Sequence, residues 1–484
     1  MKRKNKLISL AALFLVILGV YFVISALTAE EAGEEVASES ITLTSIDSDT
    51  LASMQWEYNG EAITLSYSDE QWSYNEDSDF PLDQSIAEAM ASAVINVSAT
   101  RKLEDIEDIS EYGLKEPVST IKVACDDGSE TNFKIGNINN STGEYYVQLN
   151  EEDTVYTVDS TLYTAFSYGL YDLIDMEELP LISDITSFKV VSQDKAYELV
   201  NIEDSSDISY TNDYYWFLKE ANKELKAIDE YKAESLQGQI TSLSWVECVA
   251  YNAEQKDLEE YGLDNPEITV NITYIITETV DTGETDDDGN AITETKEEEV
   301  NFKLLIGDSE DGYSYAMIDG SDMIYTILES VSDELKNGSY DTLCPDDVIL
   351  MDWDTVDSMD ITIDGTNHTL GIERTEETDD EGNTEEVITY YIDGEEADQD
   401  LAETFLDSIT GLTADGQAEG GELQSSGDVM ITFYRNTDNY KEMPFILSKY
   451  DSSFYLVSFN EEARLLVNKN DVASLINSFK DIME

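Results

Sequence analysis

The chain is poor in the residue types from which most catalytic and metal sites are built. Its 484 residues include one histidine, three cysteines and six prolines. Zinc sites need three or four histidine or cysteine ligands close together, and Cys125, Cys248 and Cys344 are too far apart for a Cys-x-x-Cys pair or a dense disulfide framework. At most one disulfide fits this spacing, and we expect buried free thiols and no metal or cofactor.

Basic residues are also scarce, with 26 lysines and arginines against 106 aspartates and glutamates. A surface this acidic repels nucleic acid and anionic lipid headgroups, so no nucleic-acid partner is expected. The charge is typical of a solvated secreted surface, and binding of cations or of a basic partner is the alternative. Hydrophobic residues make up 41% of the chain, which is enough for folded domains rather than wholesale disorder.

Charge is absent from residues 7–27, which read LISLAALFLVILGVYFVISAL. At 1.5 Å per residue this segment is long enough to cross a hydrocarbon core of about 30 Å. The preceding tail, residues 1–6, carries Lys2, Arg3, Lys4 and Lys6, and basic residues beside a first span stay cytoplasmic. The pattern predicts a single-pass anchor in the cell membrane, with the bulk of the chain outside the cytoplasm.

The same segment has two other possible uses, as a cleaved signal peptide or as a lipoprotein anchor. A cleaved signal peptide has a shorter apolar region, although the small residues around Ala26 and Ala29 leave cleavage open. A lipoprotein needs a cysteine at the end of the segment, and the first cysteine is Cys125. Residues 28–40, acidic and poor in apolar residues, are expected to be a flexible linker.

Internal repetition organises the rest of the chain. Residues 109–158 contain EYGLKEP, FKIGN, EYYVQL and TVYTV, and residues 258–327 contain EYGLDNP, FKLLIGD, YSYAMI and MIYTI. A degenerate third copy runs through VMITFY, MPFILSK, SFYLVSF and ARLLV between residues 429 and 467, with ADGQAEGG in place of the EYGLxxP turn. Each copy is preceded by alternating segments and an amphipathic stretch, and is followed by a helical one.

The alternation predicts short antiparallel strands, and the i, i+4 spacing predicts helices packed on one sheet face. The predicted fold class is therefore α+β, with one transmembrane helix followed by three related repeats at residues 41–178, 179–342 and 343–484. The helix of the second repeat is expected to carry Leu225, Ile228, Leu236 and Ile240. Acidic insertions at 278–299 and 375–386 are predicted to be protruding hairpins that turn at DDGN and DEGN.

The order EYGLxxP, Ile-Gly, Tyr-rich strand and Val-Tyr-Thr-Val resembles the domain of unknown function 4340 (DUF4340) family of membrane-anchored bacterial proteins. Glycine permits a sharp left-handed turn and proline fixes entry to the next strand, so we expect a structural role for the motif residues Tyr112, Gly113, Leu114, Pro117, Gly136, Tyr261, Gly262, Leu263, Pro266 and Gly307. The resemblance implies association with an ABC-type transporter of the gliding-motility kind, whose permease is the expected partner.

No catalytic constellation accompanies these repeats. The one histidine, His368, is expected at the surface, and no GxSxG nucleophile elbow accompanies it. Gly136 and Gly307 lack the Lys-Ser/Thr that a phosphate-binding loop requires. A glycosidase needs two carboxyl groups in different environments, and the sequence singles out no such pair among 106 acidic residues.

The two acidic insertions have a partial likeness in sequence to the calcium loop of EF-hands. With Gly289 at loop position 6, position 12 falls on Thr295 rather than the required glutamate. For the insertion around Gly382, position 12 falls on Ile388. Neither is an EF-hand, and weak calcium binding stays an open alternative.

The sequence thus favours a non-enzymatic, membrane-anchored extracytoplasmic protein, an accessory or scaffold component of an ABC-type transporter. The first alternative is a cell-envelope module that binds cations or polymers. The second is a hydrolase whose site is not recognisable from the sequence.

Overall fold

The computed structural model describes residues 40–484 apart from 104–105, 221–222, 286–290, 379–383 and 419–420. The predicted tail, the predicted anchor at 7–27 and all but the last residue of the predicted linker lie outside the described residues. Within residues 40–484, less those gaps, no helix combines the length and the apolarity that a bilayer span needs. The chain divides into two compact units, the first ending at Glu177 and the second beginning at Glu178.

The first unit contains one large sheet and one two-stranded sheet. Its strands are β1 (Ile41–Thr42), β2 (Leu51–Tyr58), β3 (Glu61–Ser68), β4 (Gln71–Tyr74), β5 (Ser98–Ala99), β6 (Arg101–Leu103), β7 (Ser119–Cys125), β8 (Glu130–Ile138), β9 (Tyr145–Leu149) and β10 (Val155–Val158). Its helices are α1 (Gln84–Ile95) and α2 (Thr161–Ala165), with 3₁₀ turns at Ser48–Thr50, Ile109–Tyr112 and Tyr171–Leu173.

The second unit contains two large sheets. The strands of the earlier sheet are β11 (Ile185–Ser192), β12 (Ala196–Asn201), β13 (Trp216–Glu220), β14 (Lys226–Ala227), β15 (Cys248–Ala250), β16 (Ile268–Thr285), β17 (Ala291–Glu310), β18 (Tyr313–Ile318) and β19 (Ile324–Leu328). Its helices are α3 (Glu230–Thr241), α4 (Gln255–Glu260), α5 (Glu329–Asn337) and α6 (Tyr340–Leu343).

The later sheet of the second unit repeats this plan. Its strands are β20 (Val356–Ile363), β21 (Thr366–Thr378), β22 (Thr384–Ile392), β23 (Glu395–Glu396), β24 (Gly416–Gln417), β25 (Val429–Arg435), β26 (Glu442–Lys449), β27 (Phe454–Ser458) and β28 (Leu465–Asn468). A 3₁₀ turn at Trp353–Thr355 precedes them, and the helices are α7 (Gln399–Thr410) and α8 (Lys469–Met483).

The three large sheets share one strand order. In each, two antiparallel meanders meet through their first strands, so that β2 pairs with β7, β11 with β16, and β20 with β25. A short strand that precedes the second meander, β6, β15 or β24, closes the far edge. The predicted repetition of antiparallel sheets with packed helices is confirmed at this level. The predicted bounds of the three repeats stay a prediction.

Local sequence explains the turns and the helix starts. The hairpin turns Asn59-Gly60 and Asp364-Gly365 both have positive φ at two successive residues, which is the type I′ geometry that matches strand twist. The helices α1, α3 and α7 each follow an aspartate, Asp83, Asp229 and Asp398, whose side chain accepts a backbone N–H of the first turn.

Each of these three helices buries the residues at positions four, seven, eight and eleven after its aspartate. The apolar spacing closes the main core of the sheet on that face. The buried residues are Ala87, Met90, Ala91 and Val94 in α1, Ala233, Leu236, Gln237 and Ile240 in α3, and Ala402, Phe405, Leu406 and Ile409 in α7.

Two predicted helices are shorter than expected. Leu225 and Ile228 were assigned to the second-repeat helix, but Lys226–Ala227 forms strand β14 and the N–H of Ile228 donates to the carbonyl of Trp216 at 3.0 Å. The helix predicted over Leu162 to Leu173 divides into α2 and a 3₁₀ turn. The carbonyl of Tyr168, which a continuous helix would use internally, accepts instead from the indole of Trp56 at 2.9 Å.

Candidate functional site

The EYGLxxP motif forms a turn that sits against the strand ending in Ile-Gly. Gly113 and Gly262 have φ of 72° and 69°, the left-handed region where a side chain is strained. A Cβ on Gly262 would lie 2.6 Å from Cγ of Asp308, and a Cβ on Gly307 would overlap the carbonyl oxygen of Tyr261. The backbones of turn and strand therefore touch directly, and the N–H of Asp308 donates to the carbonyl of Tyr261 at 3.0 Å.

The first repeat has the same arrangement. A Cβ on Gly136 would overlap the carbonyl oxygen of Tyr112, and a Cβ on Gly113 would lie 2.9 Å from the backbone nitrogen of Asn137. In both copies the sheet register shifts next to this glycine, which marks a β-bulge. Each copy thus brings together the glycine of the turn and the glycine of the strand.

The motif closes a second, smaller core on the sheet face opposite the main helices. Leu263 is buried with Met317 and Ile324, and Leu114 is buried in the corresponding place. The rings of Tyr261 and Tyr315 lie 4.5 Å apart, as those of Tyr112 and Tyr146 do at 4.9 Å. Pro117 and Pro266 each stand two residues before a central strand, β7 or β16. These contacts are packing and backbone geometry.

The third repeat closes the same face without the motif. Ala418, Leu456, Ala463 and Leu466 form its small core. Gly421 approaches the backbone so closely that a Cβ would overlap the carbonyl oxygen of Ala463. The loss of EYGLxxP is thus matched by a different close approach of loop and strand.

Candidate catalytic groups are dispersed in the part of the chain that the structure describes. No group of three histidine, cysteine, aspartate or glutamate side chains there is arranged to hold a metal ion. Cys248 and Cys344 are buried and Cys125 is half-buried, and none of the three forms a disulfide.

His368 is more enclosed than a surface residue, with its side chain 19% exposed. Its Nδ1 lies 2.7 Å from Oδ2 of Asp393, and its ring lies 5.6 Å from that of Phe479. The hydrogen bond from His368, together with the N–H of Thr369, lowers the pKa of the Asp393 carboxyl. Because the pair joins β21 to the end of β22, it stabilises a hairpin.

A cluster of charged and aromatic side chains joins the two sheets of the second unit. The ring of Tyr340 lies between Nζ of Lys226, 4.2 Å from its centroid, and Cζ of Arg464 at 4.6 Å. Glu462 accepts from the Tyr340 hydroxyl at 3.1 Å and pairs with Lys226 at 2.6 Å. Nothing in the local pattern of any one of these residues predicts this cluster, because its members come from three distant segments, β14, α6 and the loop before β28.

The loop between β12 and β13 makes a second connection. Tyr210 belongs to the core of the later sheet. Its ring lies 5.1 Å from that of Phe459, and its hydroxyl accepts the N–H of Leu350 at 3.1 Å. Burial raises the pKa of Tyr210 to about 12.

Two acidic ribbons extend from the sheets of the second unit. Strands β16 and β17 are 18 and 20 residues long, and stay paired from Ile268 with Ile306 to Thr285 with Ala291. Strands β21 and β22 remain paired out to Thr378 with Thr384. Hairpin strands at both predicted insertions are therefore present, and the DDGN and DEGN turns lie largely or wholly outside the described residues.

The first ribbon, residues 276–282 with 293–299, is exposed on both faces. Among these residues only Val280 is half-buried. The ribbon carries Glu278, Asp281, Glu294, Glu297, Glu298 and Glu299 against one basic residue, Lys296.

A cavity of about 370 Å³ lies between α3 and the start of the earlier sheet of the second unit. We call it the Trp216 cavity. Exposed carboxylates of Asp184, Glu230 and Glu234 line it together with two buried residues, Trp216 and Gln237. A wider groove of about 440 Å³ lies between α3, α5 and α6 and includes Tyr231 and Glu334.

The comparisons with known proteins place the chain in a family. The family described as "Domain of unknown function (DUF4340)" matches residues 72–266 and, a second time, residues 216–427. The two matches begin at Trp72 and Trp216, each in the third strand of its sheet, and end immediately before the central strands β16 and β25. The two matches overlap at residues 216–266.

Searches of curated proteins and of solved structures give no match. The two family matches together run from residue 72 to residue 427, which is well over half of the 484 residues. The chain therefore belongs to the DUF4340 family.

Proposed function

We propose that this chain is a non-enzymatic interaction protein, tethered to the outer face of the cell membrane, that serves as an accessory or scaffold component of an ABC-type transporter. The observation that carries the proposal is the ribbon of residues 276–282 and 293–299. It continues beyond its sheet with both faces exposed, so it adds little to the core of the unit that bears it.

An exposed two-stranded ribbon is marginally stable by itself. Its cross-strand pairs include Ile276 opposite Glu298 and Thr277 opposite Glu297, which contribute little packing. A segment that does not help to fold the protein is suited to contact with another molecule. The six acidic side chains favour a partner surface rich in lysine or arginine, since complementary charge steers association.

The membrane tether supports the same role. The uncharged segment 7–27 and the basic tail before it predict an anchor. An anchored domain meets a membrane-embedded partner at high effective concentration. Apart from that basic tail, the chain has a large net negative charge, which disfavours contact with anionic lipids. The acidic ribbons are therefore available for contact with protein.

The test is removal of each ribbon at a cross-strand pair. Replacing residues 278–296 with Asn-Gly joins Thr277 to Glu297, and replacing 376–386 with Asn-Gly joins Thr375 to Val387. The full chain and both variants are purified from mildly solubilised membranes, and bound proteins are identified by mass spectrometry. We expect the full chain to recover an ABC-type permease and at least one variant to lose it with an unchanged melting temperature.

A charge control separates shape from electrostatics. Replacing Glu294, Glu297 and Glu298 with glutamine keeps the ribbon and removes three charges. Loss of the permease in this variant assigns the contact to charge, whereas retention assigns it to the ribbon backbone. Recovery of no permease by the full chain refutes the transporter role, and retention by both ribbon deletions refutes the ribbons as the contact.

One observation favours cation or polymer binding as a second candidate function. Glu376 lies opposite Glu386. Like charges directly opposite each other destabilise a strand pair, and a bound cation would offset this repulsion. Calorimetric titration with calcium, repeated on the variant without residues 376–386, distinguishes this function from the first, because only a ribbon-bound cation loses its heat in that variant.

A further inference from the structure

We propose that the Trp216 cavity is a binding site for a small organic ammonium ion that also carries an oxygen acceptor, the chemistry of an amino sugar or an amino alcohol. Its volume of about 370 Å³ lies in the range of small-molecule sites. The proposal is separate from the transporter role and uses none of the ribbon residues.

Gln237 has a buried amide nitrogen without a hydrogen-bond partner. Gln237 is 5% exposed, and its Nε2 has no hydrogen-bond partner among the described residues. A buried donor left unpaired costs about 1–3 kcal/mol, so native chains normally satisfy such groups. Gln237 is one of the residues that line the Trp216 cavity, and the proposal assigns the missing acceptor to a ligand oxygen that a small movement of this side chain would reach.

The other two repeats have apolar residues at the position of Gln237. Gln237 stands eight residues after the capping Asp229, and the equivalent buried positions in the other two helices are Ala91 and Leu406. The fold therefore accepts an apolar residue at this place. The glutamine occurs in the one repeat of the three whose helix lines the Trp216 cavity.

The first residue of helix α3 also differs from its counterpart in the first repeat. In the first repeat, Gln84 follows the capping aspartate and binds back to the strand, accepting the N–H of Trp72 at 2.8 Å and donating to its carbonyl at 3.0 Å. Glu230 is the equivalent residue of the second repeat, and it lines the cavity instead. The position that holds the strand in one repeat faces an open site in the other.

The carboxylates and the indole define the ligand. Asp184, Glu230 and Glu234 line the cavity without a lysine or arginine among its lining residues, which selects a cation. A divalent metal would use the carboxylates but not the N–H of Gln237, which is a donor. An ammonium group satisfies the carboxylates and is attracted to an aromatic face, and a hydroxyl or carbonyl oxygen on the same ligand accepts from Gln237.

The experiment is titration calorimetry of the full-length chain with four probes at pH 7. Glucosamine and ethanolamine carry both groups, glucose lacks the ammonium, and cyclohexylamine lacks the oxygen. We expect saturable binding of glucosamine or ethanolamine, with glucose and cyclohexylamine at least about tenfold weaker. Absence of saturable heat with both amino-alcohol probes overturns the proposal, and so does calcium displacing the amine at equal concentration.

Two variants and a control locate the site. Gln237→Leu introduces the residue found at the equivalent place in α7, so we expect an unchanged or higher melting temperature and roughly tenfold weaker glucosamine binding. Glu234→Gln is expected to weaken glucosamine binding to a similar extent, whereas Glu403→Gln, five residues after its own capping aspartate as Glu234 is, is expected to have no effect. Equal binding by the wild type and Gln237→Leu overturns the assignment.

Discussion

The contact between the motif turn and the bulged strand can be tested by adding one methyl group. In Gly307→Ala the new Cβ overlaps the carbonyl oxygen of Tyr261, and its other near neighbour is the backbone of Gly262. Neither neighbour is the end of a flexible side chain, so the turn has to move away from the strand. That movement breaks the hydrogen bond from the N–H of Asp308 to Tyr261 and opens the small core around Leu263.

The magnitude follows from these two losses. A hydrogen bond contributes about 1 kcal/mol net, and exposing a buried leucine costs about 1.5–3 kcal/mol when complete. We therefore expect local destabilisation of about 2–4 kcal/mol, which corresponds to roughly 30-fold to 700-fold more frequent opening. Leu263 is 3% exposed in the native fold, so nearly the whole leucine term is available to be lost.

Hydrogen exchange followed by mass spectrometry is the suitable assay, because a chain with several sheets is not expected to unfold in one step. Peptides from β17, β18 and β19 should exchange faster in Gly307→Ala, and those from β2 and β3 should not change. Gly136→Ala should give the reverse pattern.

Gly371→Ala is the matched control, since Gly371 also lies in a strand and its Cβ would meet only Cβ of Tyr391 at 4.0 Å. We expect an effect within about 0.5 kcal/mol for this control. Equal protection of β17 to β19 in Gly307→Ala and Gly371→Ala would refute the contact as the function of the motif.

Three further predictions use other parts of the second unit and the charge of the chain. Burial raises the pKa of Tyr210 to about 12 from 10.0, so the folded state keeps the proton longer and wild-type stability should fall as pH rises from 10 to 12. Tyr210→Phe should show a smaller fall when urea unfolding at pH 9 and pH 11.5 is compared, because burial also raises the pKa of Tyr197 and Tyr340, which contribute to the same loss. Tyr340→Leu removes the ring that Lys226 and Arg464 contact and should lower the free energy of local opening around α6 by about 2 kcal/mol in hydrogen exchange, with Tyr340→Phe losing less. Because the chain has 106 acidic residues and only 26 basic ones, sodium chloride should raise the melting temperature by screening their repulsion. A larger rise with calcium than with magnesium at equal ionic strength would show a specific calcium site.

The sequence predicted those features of the fold that depend on local pattern. Alternation identified the strands, the two acidic insertions identified long hairpins, and the repeated EYGLxxP order identified two of the three related sheets before any pairing was known. The contact of Gly307 with Tyr261 follows from the same motif once its two glycines are placed together.

Features that depend on distant pairing were not predictable in this way. No local signal in β2 indicates that it pairs with β7, since about sixty residues separate them. The position of Tyr210 in the core of the later sheet is equally hidden, because its surrounding residues read as a polar loop. Tertiary contact decided both. It also moved the start of the predicted second-repeat helix from Leu225 to Glu230, because β14 pairs with β13 just before it.

Comparison among the repeats recovers information that no single repeat contains. Three helices begin at a capping aspartate and bury the same four positions, so a polar residue at one of those positions departs from a framework that the chain itself defines. By that criterion Gln237 is exceptional beside Ala91 and Leu406, whereas Glu234 is not, since Glu403 occupies the equivalent exposed place. The acidic residues of this chain are too numerous for any one to indicate a site. A buried glutamine that two sister helices replace with apolar residues is rare enough to do so, and it directs the search for a ligand to one cavity.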